Sequence, residues 1–481
     1  MNVVDTDIMI IGAGPVGLMC ALLAHISSVD AVVIDKSHGP LEVGRADALN
    51  ARTLQLFEIV GLFDELYPLG KPCNTSSVFK EGKFISRQSS WWDELEGCFH
   101  KHFLMLGQSH IEKLIDEKLK RLGAAVVRGT TATDIQVLED HCLTTLSNGQ
   151  MVKSRYVIGA DGSRSYVRRR FNIPFSIVRP QIVWAVIDGV IESDFPKVPE
   201  IIVFQADTSD VAWIPREGDI DRFYVRMDQK EFALEDCLGK INRAMQPYRL
   251  EFKTIAWFSQ FSVKESVAAS YSVDDKVFLA GDSCHIHSVN GGQGLNTGLA
   301  DAFNLMWKLN MSLKQGHATQ LLASYETERL PVAKSVIESS GALVRATKDG
   351  KETTHAENYV RIVKEKAGNI TGMGIRYSRD DQLVGSRLHD FEITEDDAIK
   401  RIYSILNYSC YSLLIFSDED KPTINVPEFV RVICVGGKDS DKSFKAKDPP
   451  YKNVALLVRP DAYIHEVLDL DQLGCIENCA L

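Results

Sequence analysis

The chain has 481 residues, with 54 Lys and Arg against 65 Asp and Glu for a formal net charge of −11; 45% of residues are apolar and 25% charged. That globular composition excludes a disordered, collagen-like or disulfide-scaffold chain. The acidic balance, with no long basic run, excludes a nucleic-acid or anionic membrane surface as the working partner and leaves a small molecule. At about 150 residues per domain, the length predicts about three domains. The ten Cys, at 20, 73, 98, 142, 237, 284, 410, 434, 475 and 479, form no Cys-x-x-Cys pair, a pattern of reduced thiols in the cytosol rather than of a disulfide or zinc framework. The apolar start Ile8–Leu23 follows Asp5 and Asp7 and is broken by three Gly and a Pro, unlike a secretion signal. No apolar stretch reaches the ~18 residues of a membrane span. A cytoplasmic protein is expected.

Residues 7–11 (DIMII) predict a buried strand, 12–17 (GAGPVG) a tight turn, 18–27 a helix and 31–35 (AVVID) a second strand. This is a dinucleotide fingerprint in its required context: Gly12 makes the turn, Gly14 lets the backbone approach a pyrophosphate, and Gly17 lets helix and strand pack closely. The helix N-terminus then faces the phosphates. Asp35 ends the second strand, where a carboxylate accepts hydrogen bonds from an adenosine ribose with a free 2′-hydroxyl; Pro15 and Lys36 fall within the same set of cofactor contacts. The motif alone leaves FAD and NAD both open.

Further along, 156–170 (YVIGADGSRSYVRRR) and 277–309 (VFLAGDSCHIHSVNGGQGLNTGLADAFNLMWKL) each begin as a short buried strand ending in Gly and Asp. Between them, the alternating runs WAVIDGVI, EIIVFQ, VAWIPR and RFYVRM predict a sheet roofing a pocket. In RFYVRM the alternation puts Phe223 and Val225 on one face and Tyr224 on the other. A helical stretch follows near 318–345, and the polar run 348–358 (KDGKETTHAEN) marks a boundary. Asp282, Cys284, His285 and His287 are ligand-type residues, but their spacing in a Gly-rich loop matches no closed metal site, and no metal is expected.

With these three separated motifs in order, the sequence resembles the class A flavoprotein aromatic hydroxylases, the single-component FAD monooxygenases, in their phenol hydroxylase-like branch. The resemblance implies an α/β fold: a Rossmann-like FAD-binding domain with an inserted β-sheet substrate domain, as in p-hydroxybenzoate hydroxylase, and a C-terminal thioredoxin-like domain without Cys-x-x-Cys. It divides the chain into a discontinuous FAD domain (1–76, 105–176 and 265–345), a substrate sheet (77–104 and 177–264), a helical connection (346–371) and the tail (372–481). Asp161 and Arg168 are assigned by it to FAD and reduced nicotinamide. Asp282, Gly291, Gly292, Gln293, Gly294, Leu295 and Asn296 are assigned to the flavin, with a helix at 297–310 beneath it. Arg45, in GRADAL, and Gln108, in LGQ, complete the flavin contacts. A Gly-rich turn opening a helix presents backbone N–H groups where negative charge collects on flavin reduction. Many relatives have Pro where Val289 stands, near the reacting carbon of the flavin.

The chemistry implied is hydroxylation of a phenolic or polyketide-type aromatic ring through a flavin C4a-hydroperoxide, with NAD(P)H and O2. Resemblance favours NADPH over NADH. A phenol reacts best as phenolate, and removing its proton near neutrality costs about 4 kcal/mol for a pKa of about 10, so the pocket needs a proton acceptor or a positive charge. The resemblance supplies Asp47 as acceptor, Tyr224 as relay or positioning group, and Arg216 to stabilise the charge or orient Asp47. By themselves, Asp47 also reads as a cap on the helix that follows it, and Arg216 and Tyr224 as ordinary sheet residues. In the tail, Ala462 replaces a turn Gly and the closing CIENC does not match a redox motif; such tails often lie near a dimer interface, which suggests a homodimer. Two other readings fit the same scaffold: a flavin-dependent reductase or dehydrogenase, and a non-catalytic FAD-binding protein.

Overall fold

The apolar run Ile8–Ile11 is the inner end of the strand Val3–Ile11 in the computed structural model, which describes residues 3–178, 182–196, 198–205, 210–227, 229, 231–263, 265–287, 292–316, 319–348, 361–378, 381–418, 424–437, 444–471 and 473. The strand starts at Val3 rather than at Asp7. Its first residues pair in parallel with Met151–Ser154 and alternate between exposed and half-buried, so they carry no apolar run. Ala31–Asp35 and Met151–Gly159 flank it in parallel, and Val126–Arg128 and Val277–Leu279 extend the sheet on either side. Strands buried on both faces read as continuous apolar runs, which is why IMII and VFL were legible. The helix over the sheet is Pro15–Ile26, three residues earlier than expected: Pro is tolerated at the first helical position, where its missing N–H has no intrahelical partner.

A second sheet runs, in spatial order, 250–263, 182–193, 221–227, 210–215, 201–205, 76–80 and 83–88. Its last hairpin comes from a distant part of the chain and joins through a parallel pairing of Ile201–Gln205 with Ser76–Lys80. One face, including Ala185, Ile187, Trp213, Phe223 and Val225, packs on Cys237, Ile241 and Met245 of the helix Leu234–Met245. The alternation of a strand places Trp184, Val186, Asp188, Arg222 and Tyr224 on the other face, where Arg222 and Tyr224 meet the 45–47 segment.

The tail holds a third, mixed sheet of seven strands centred on Tyr411–Phe416, which is parallel to Val430–Gly436 and antiparallel to Val454–Val458. All six residues of that central strand are buried, and the two faces go to different cores. Tyr411, Leu413 and Ile415 join the main core beside Phe303 and Trp307 of the helix Gln293–Gln315, while Leu414 and Phe416 pack within the tail against Leu388, Ile393 and Tyr403. The tail is thus part of the main core, each large buried side chain contributing about 1.5–3 kcal/mol by its removal from water. A buried ion network reinforces the contact: Arg459 donates to both oxygens of Glu328 at 2.8 and 3.0 Å and to Asp461 at 2.7 and 2.9 Å, and Lys308 adds a bond to Glu328 at 2.9 Å. The boundary run lies mostly, and CIENC wholly, outside the described residues. Among those residues, no helix is long and apolar enough to cross a membrane.

Candidate active site

The fingerprint turn is shaped by two exclusions. Gly12 has φ +104°, and a Cβ there would lie 2.4 Å from the Ala160 carbonyl oxygen; a Cβ on Gly17 would lie 1.8 Å from the carbonyl oxygen of Gly12. Gly14, by contrast, precedes the helix Pro15–Ile26 and has open space where a Cβ would stand, so the unpaired N–H groups of the helix start can be approached closely. The Asp35 carboxylate braces the turn, accepting from the Ala13 and Ser37 N–H groups at 2.6 Å each. Lys36, beside it, is exposed.

In the second motif, Asp161 Oδ2 accepts from the N–H groups of Tyr166 and Val167 at 2.6 and 3.1 Å. Its Oδ1 is buried without a partner among the described residues, and burial raises its pKa. Arg168 is spent inside the protein: it donates to the Ser283 and Ser163 carbonyls at 2.6 and 2.9 Å and lies 3.8 Å over the Phe175 ring. It ties the second motif to the third.

The third motif passes from Val277–Leu279 through the single turn Gly281–Ser283. Asp282 is exposed, yet desolvation by its surroundings raises its pKa, with His285 and Arg45 opposing. The helix begins at Gln293, not at 297, capped by Gly292 at φ +59°. Gln293, Gly294 and Leu295 therefore open its first turn, with unpaired backbone N–H groups at the positive end of the helix, and Asn296 closes it. Open space surrounds Gly294, and both amide atoms of buried Gln293 lack a partner among the described residues. Val289 and Gly291 lie outside the described residues. The ligand-type atoms of Cys284, His285 and Asp301 do gather within 4.8 Å of one another, but Asp301 already pairs with His285 and with the Arg329 guanidinium at 2.7 Å. Together they hold Asp301 at about 2 against the opposing effect of burial.

Asp47 is buried and does not cap the helix Ala51–Ile59; Asn50 does, its Oδ1 accepting from Thr53 N–H at 3.0 Å. The Asp47 carboxylate instead meets the second sheet. Tyr224 donates to its Oδ2 at 3.3 Å, and Arg222 Nη1 lies 3.3 Å from the same oxygen. Burial and the nearby Asp47 raise the Tyr224 pKa. The Tyr224 bond is long for O–H···O, as catalytic bonds often are without substrate. Arg216 does not orient Asp47: it pairs with Glu217 at 2.6 and 2.9 Å and with Asp188 at 3.3 Å. The cation on Asp47 is Arg222, which sequence reasoning missed. Arg222 faces Asp188 across adjacent strands and is held by it at 2.6 and 2.7 Å, while its Nη1 also donates to Tyr224 Oη at 3.2 Å and to the Arg45 carbonyl. Burial opposes its charge, but Tyr224, Asp47 and Asp188 raise its pKa further. The signal was available: Arg222 and Tyr224, two apart in a strand, must share a face.

Around this group, Trp184 stands edge-on to Tyr224 with ring centres 6.5 Å apart, and Trp257 lies 5.4 Å from the Arg222 guanidinium. Arg45 is exposed at φ +66°. Gln108 links GRADAL to its own helix, donating to Glu112 at 2.8 Å and exchanging bonds with Ala46 at 2.9 and 3.4 Å.

A phosphate-binding turn and an open helix start lie on one sheet, and a buried acid in a loop meets a second; with these parts the chain belongs to the FAD binding domain family, whose profile matches residues 5–340. It is 31% identical over 408 residues to phenol 2-monooxygenase fsqG of Aspergillus fumigatus, covering 80% of this chain and 67% of that one, and 28% identical to 3-hydroxybenzoate 4-monooxygenase of Comamonas testosteroni, covering 78% and 66%. These curated relatives are aromatic monooxygenases, and the chain spans about two thirds of their length. Among solved structures, it is similar to OxyS anhydrotetracycline hydroxylase from Streptomyces rimosus (TM-score 0.79, 25% identity, 98% and 97% of the two chains covered). It also shares its fold with the flavin-dependent monooxygenase PieE, solved with FAD and substrate (TM-score 0.81, 18% identity, 98% and 97% covered).

The residues present fit FAD. The open approaches at Gly14 and Gly294, the unpartnered Asp161 Oδ1 and Gln293 amide, and the exposed carboxylate of Asp282 are what a dinucleotide and a flavin ring system require of their surroundings.

Proposed function

We propose that this protein is an FAD-dependent monooxygenase that hydroxylates a phenolic or polyketide-type aromatic substrate, using NAD(P)H and O2. The observation that carries the reading is the buried Asp47–Tyr224–Arg222 group, whose acid directly precedes the segment hydrogen-bonded to the flavin-turn helix. Bound FAD supplies electron storage and oxygen activation; Gly14, Asp35, Asp161, Asp282, Gly292, Gln293 and Gly294 are the positions that hold it. Asp47 takes the phenol proton, directly or through the Tyr224 hydroxyl, and Arg222 stabilises the resulting negative charge in a desolvated site. Trp184 and Trp257 wall the ring and exclude water. Overall, one aromatic C–H becomes C–OH while O2, NAD(P)H and a proton yield water and NAD(P)+.

Resemblance favours NADPH as the donor and a homodimer as the assembly, while cysteine usage favours the cytosol as the location: the eight described Cys are all free thiols, in keeping with a reducing compartment. The test is turnover with candidate phenols under labelled O2. One labelled oxygen atom in the product is expected, and flavin turnover without label in the product would replace this reading with a reductase.

A further inference from the structure

Asn296 has four hydrogen-bonding capacities in its side chain, and the protein fills all four. Oδ1 accepts from Asn50 N–H at 2.9 Å and from the Thr53 hydroxyl at 2.8 Å; Nδ2 donates to the carbonyls of Ala48 at 2.9 Å and Gly292 at 2.7 Å. The amide is buried, so no capacity remains for a cofactor. Its partners belong to two segments distant in sequence. One is 48–53, which leads directly from Asp47 into the capped helix; the other is Gly292, the cap of the flavin-turn helix.

The 48–53 segment is in turn fixed to residues 370–371 and to the tail. Asn50 Nδ2 donates to the Ile370 carbonyl at 3.2 Å, and Arg52 N–H to the Thr371 carbonyl at 3.1 Å. The Arg52 guanidinium donates to the Tyr403 hydroxyl at 2.8 Å and to the Asp461 carbonyl at 2.6 Å. The segment carrying the substrate acid is thus bolted to the flavin turn on one side and to the tail on the other.

We infer that Asn296 is a positioning residue that fixes the register between Asp47 and the flavin turn, rather than a ligand of the cofactor; this rests on the monooxygenase reading. Oxygen transfer needs reacting atoms within about 3.5 Å, and a misplacement of about 1 Å costs about 100-fold. When the register is lost, the electrons of NAD(P)H still reach O2, but O2, NAD(P)H and a proton leave as H2O2 and NAD(P)+, and the aromatic C–H bond stays intact.

The test is Asn296→Asp in the FAD holoprotein, which keeps the Oδ1 acceptor and removes both donors. Hydroxylated product per NAD(P)H consumed falls about tenfold with a matching rise in H2O2, and amide exchange over 46–53 speeds up, while the Kd for FAD changes less than about threefold. A Kd for FAD weakened by more than about tenfold, with exchange and coupling unchanged, would make Asn296 a cofactor ligand and overturn the inference. If Asn296→Asp does not fold, Thr53→Val, which removes one of the four bonds, carries the same readouts in the same direction at about twofold; no change in either overturns it. Exchange and FAD affinity are measurable whether or not the parent hydroxylates anything, so unlabelled product from the parent sinks the activity reading and leaves this inference to be decided by those two readouts.

Discussion

The cofactor side and the substrate side of this cleft are built by different means. The cofactor side is mostly backbone: two glycines where a Cβ would strike a carbonyl, an open helix start, and carboxylates that brace turns. The substrate side is mostly side chain: Arg222 and Tyr224 from one strand, Asp188 from its neighbour and Asp47 from a loop meet in a buried space, with one guanidinium between two carboxylates. A backbone site depends on residue type at fixed spacing, whereas a side-chain site depends on register, and the two should fail differently.

The largest effect is expected from Arg222→Met. It leaves Asp47 as a buried carboxylate with no cation on it and Asp188 with only the 3.3 Å contact to Arg216, and breaking such a pair costs about 3–5 kcal/mol. Chemical denaturation should show that loss, and product formation should fall at least about 100-fold, yet the purified variant should retain bound FAD. A colourless Arg222→Met protein would mean that the two sides are not separable.

Gly17→Ala is the converse. With a Cβ 1.8 Å from the Gly12 carbonyl oxygen, the turn must move, costing about 3 kcal/mol, the upper part of the range for overpacking. FAD should be lost, whereas quenching of Trp184 and Trp257 fluorescence by an added phenol should persist.

The tail contact offers a third point of comparison, because it is held by a side-chain ion network with no ligand to bind. Burial alone would raise the Glu328 pKa, but Arg459 and Lys308 outweigh it and pull it from 4.5 to about 2. A carboxylate depressed in the folded state contributes stability that is fully present above its unfolded value and is lost as pH falls toward the folded one. Between about pH 4.5 and pH 2, the wild type should therefore lose on the order of 2 kcal/mol through this group. Glu328→Gln should flatten the dependence of Tm on pH in that window; equal slopes would show that the network does not couple to folding.

The smallest effect is expected at Ala462, which sits at φ +58° and is fully buried. A left-handed conformation costs a residue with a Cβ about 1–2 kcal/mol, against which Gly loses more chain entropy on folding. Ala462→Gly should raise stability by less than about 1 kcal/mol, read as a small upward shift in Tm; a clear decrease would mean that the methyl packs better than the strain costs.

These contrasts follow what was legible in the sequence. The parallel strands were readable because burial on both faces leaves an apolar run, although Val3–Thr6, open on one face, did not show. The fingerprint glycines and the Asp of each later motif were readable because their chemistry is local. The start of the flavin-turn helix was misplaced by four residues, since Gly292 to Asn296 look like loop until Gly292 is seen capping them. Arg216 was preferred over Arg222 because motif matching gives a position in the chain but not the neighbour across the sheet.

By itself, the sequence determined that the chain builds a dinucleotide turn, carries two further Gly-Asp motifs, and roofs them with an alternating sheet, because turn geometry and strand period are set by residues close together in the chain. Only the tertiary structure decided which cation meets Asp47, that Arg168 and Asn296 are spent on the protein itself, and that the tail shares the core of the flavin helix. Those depend on side chains from segments hundreds of residues apart competing for the same buried hydrogen-bonding partners, and that competition is settled only when the sheets close on one another.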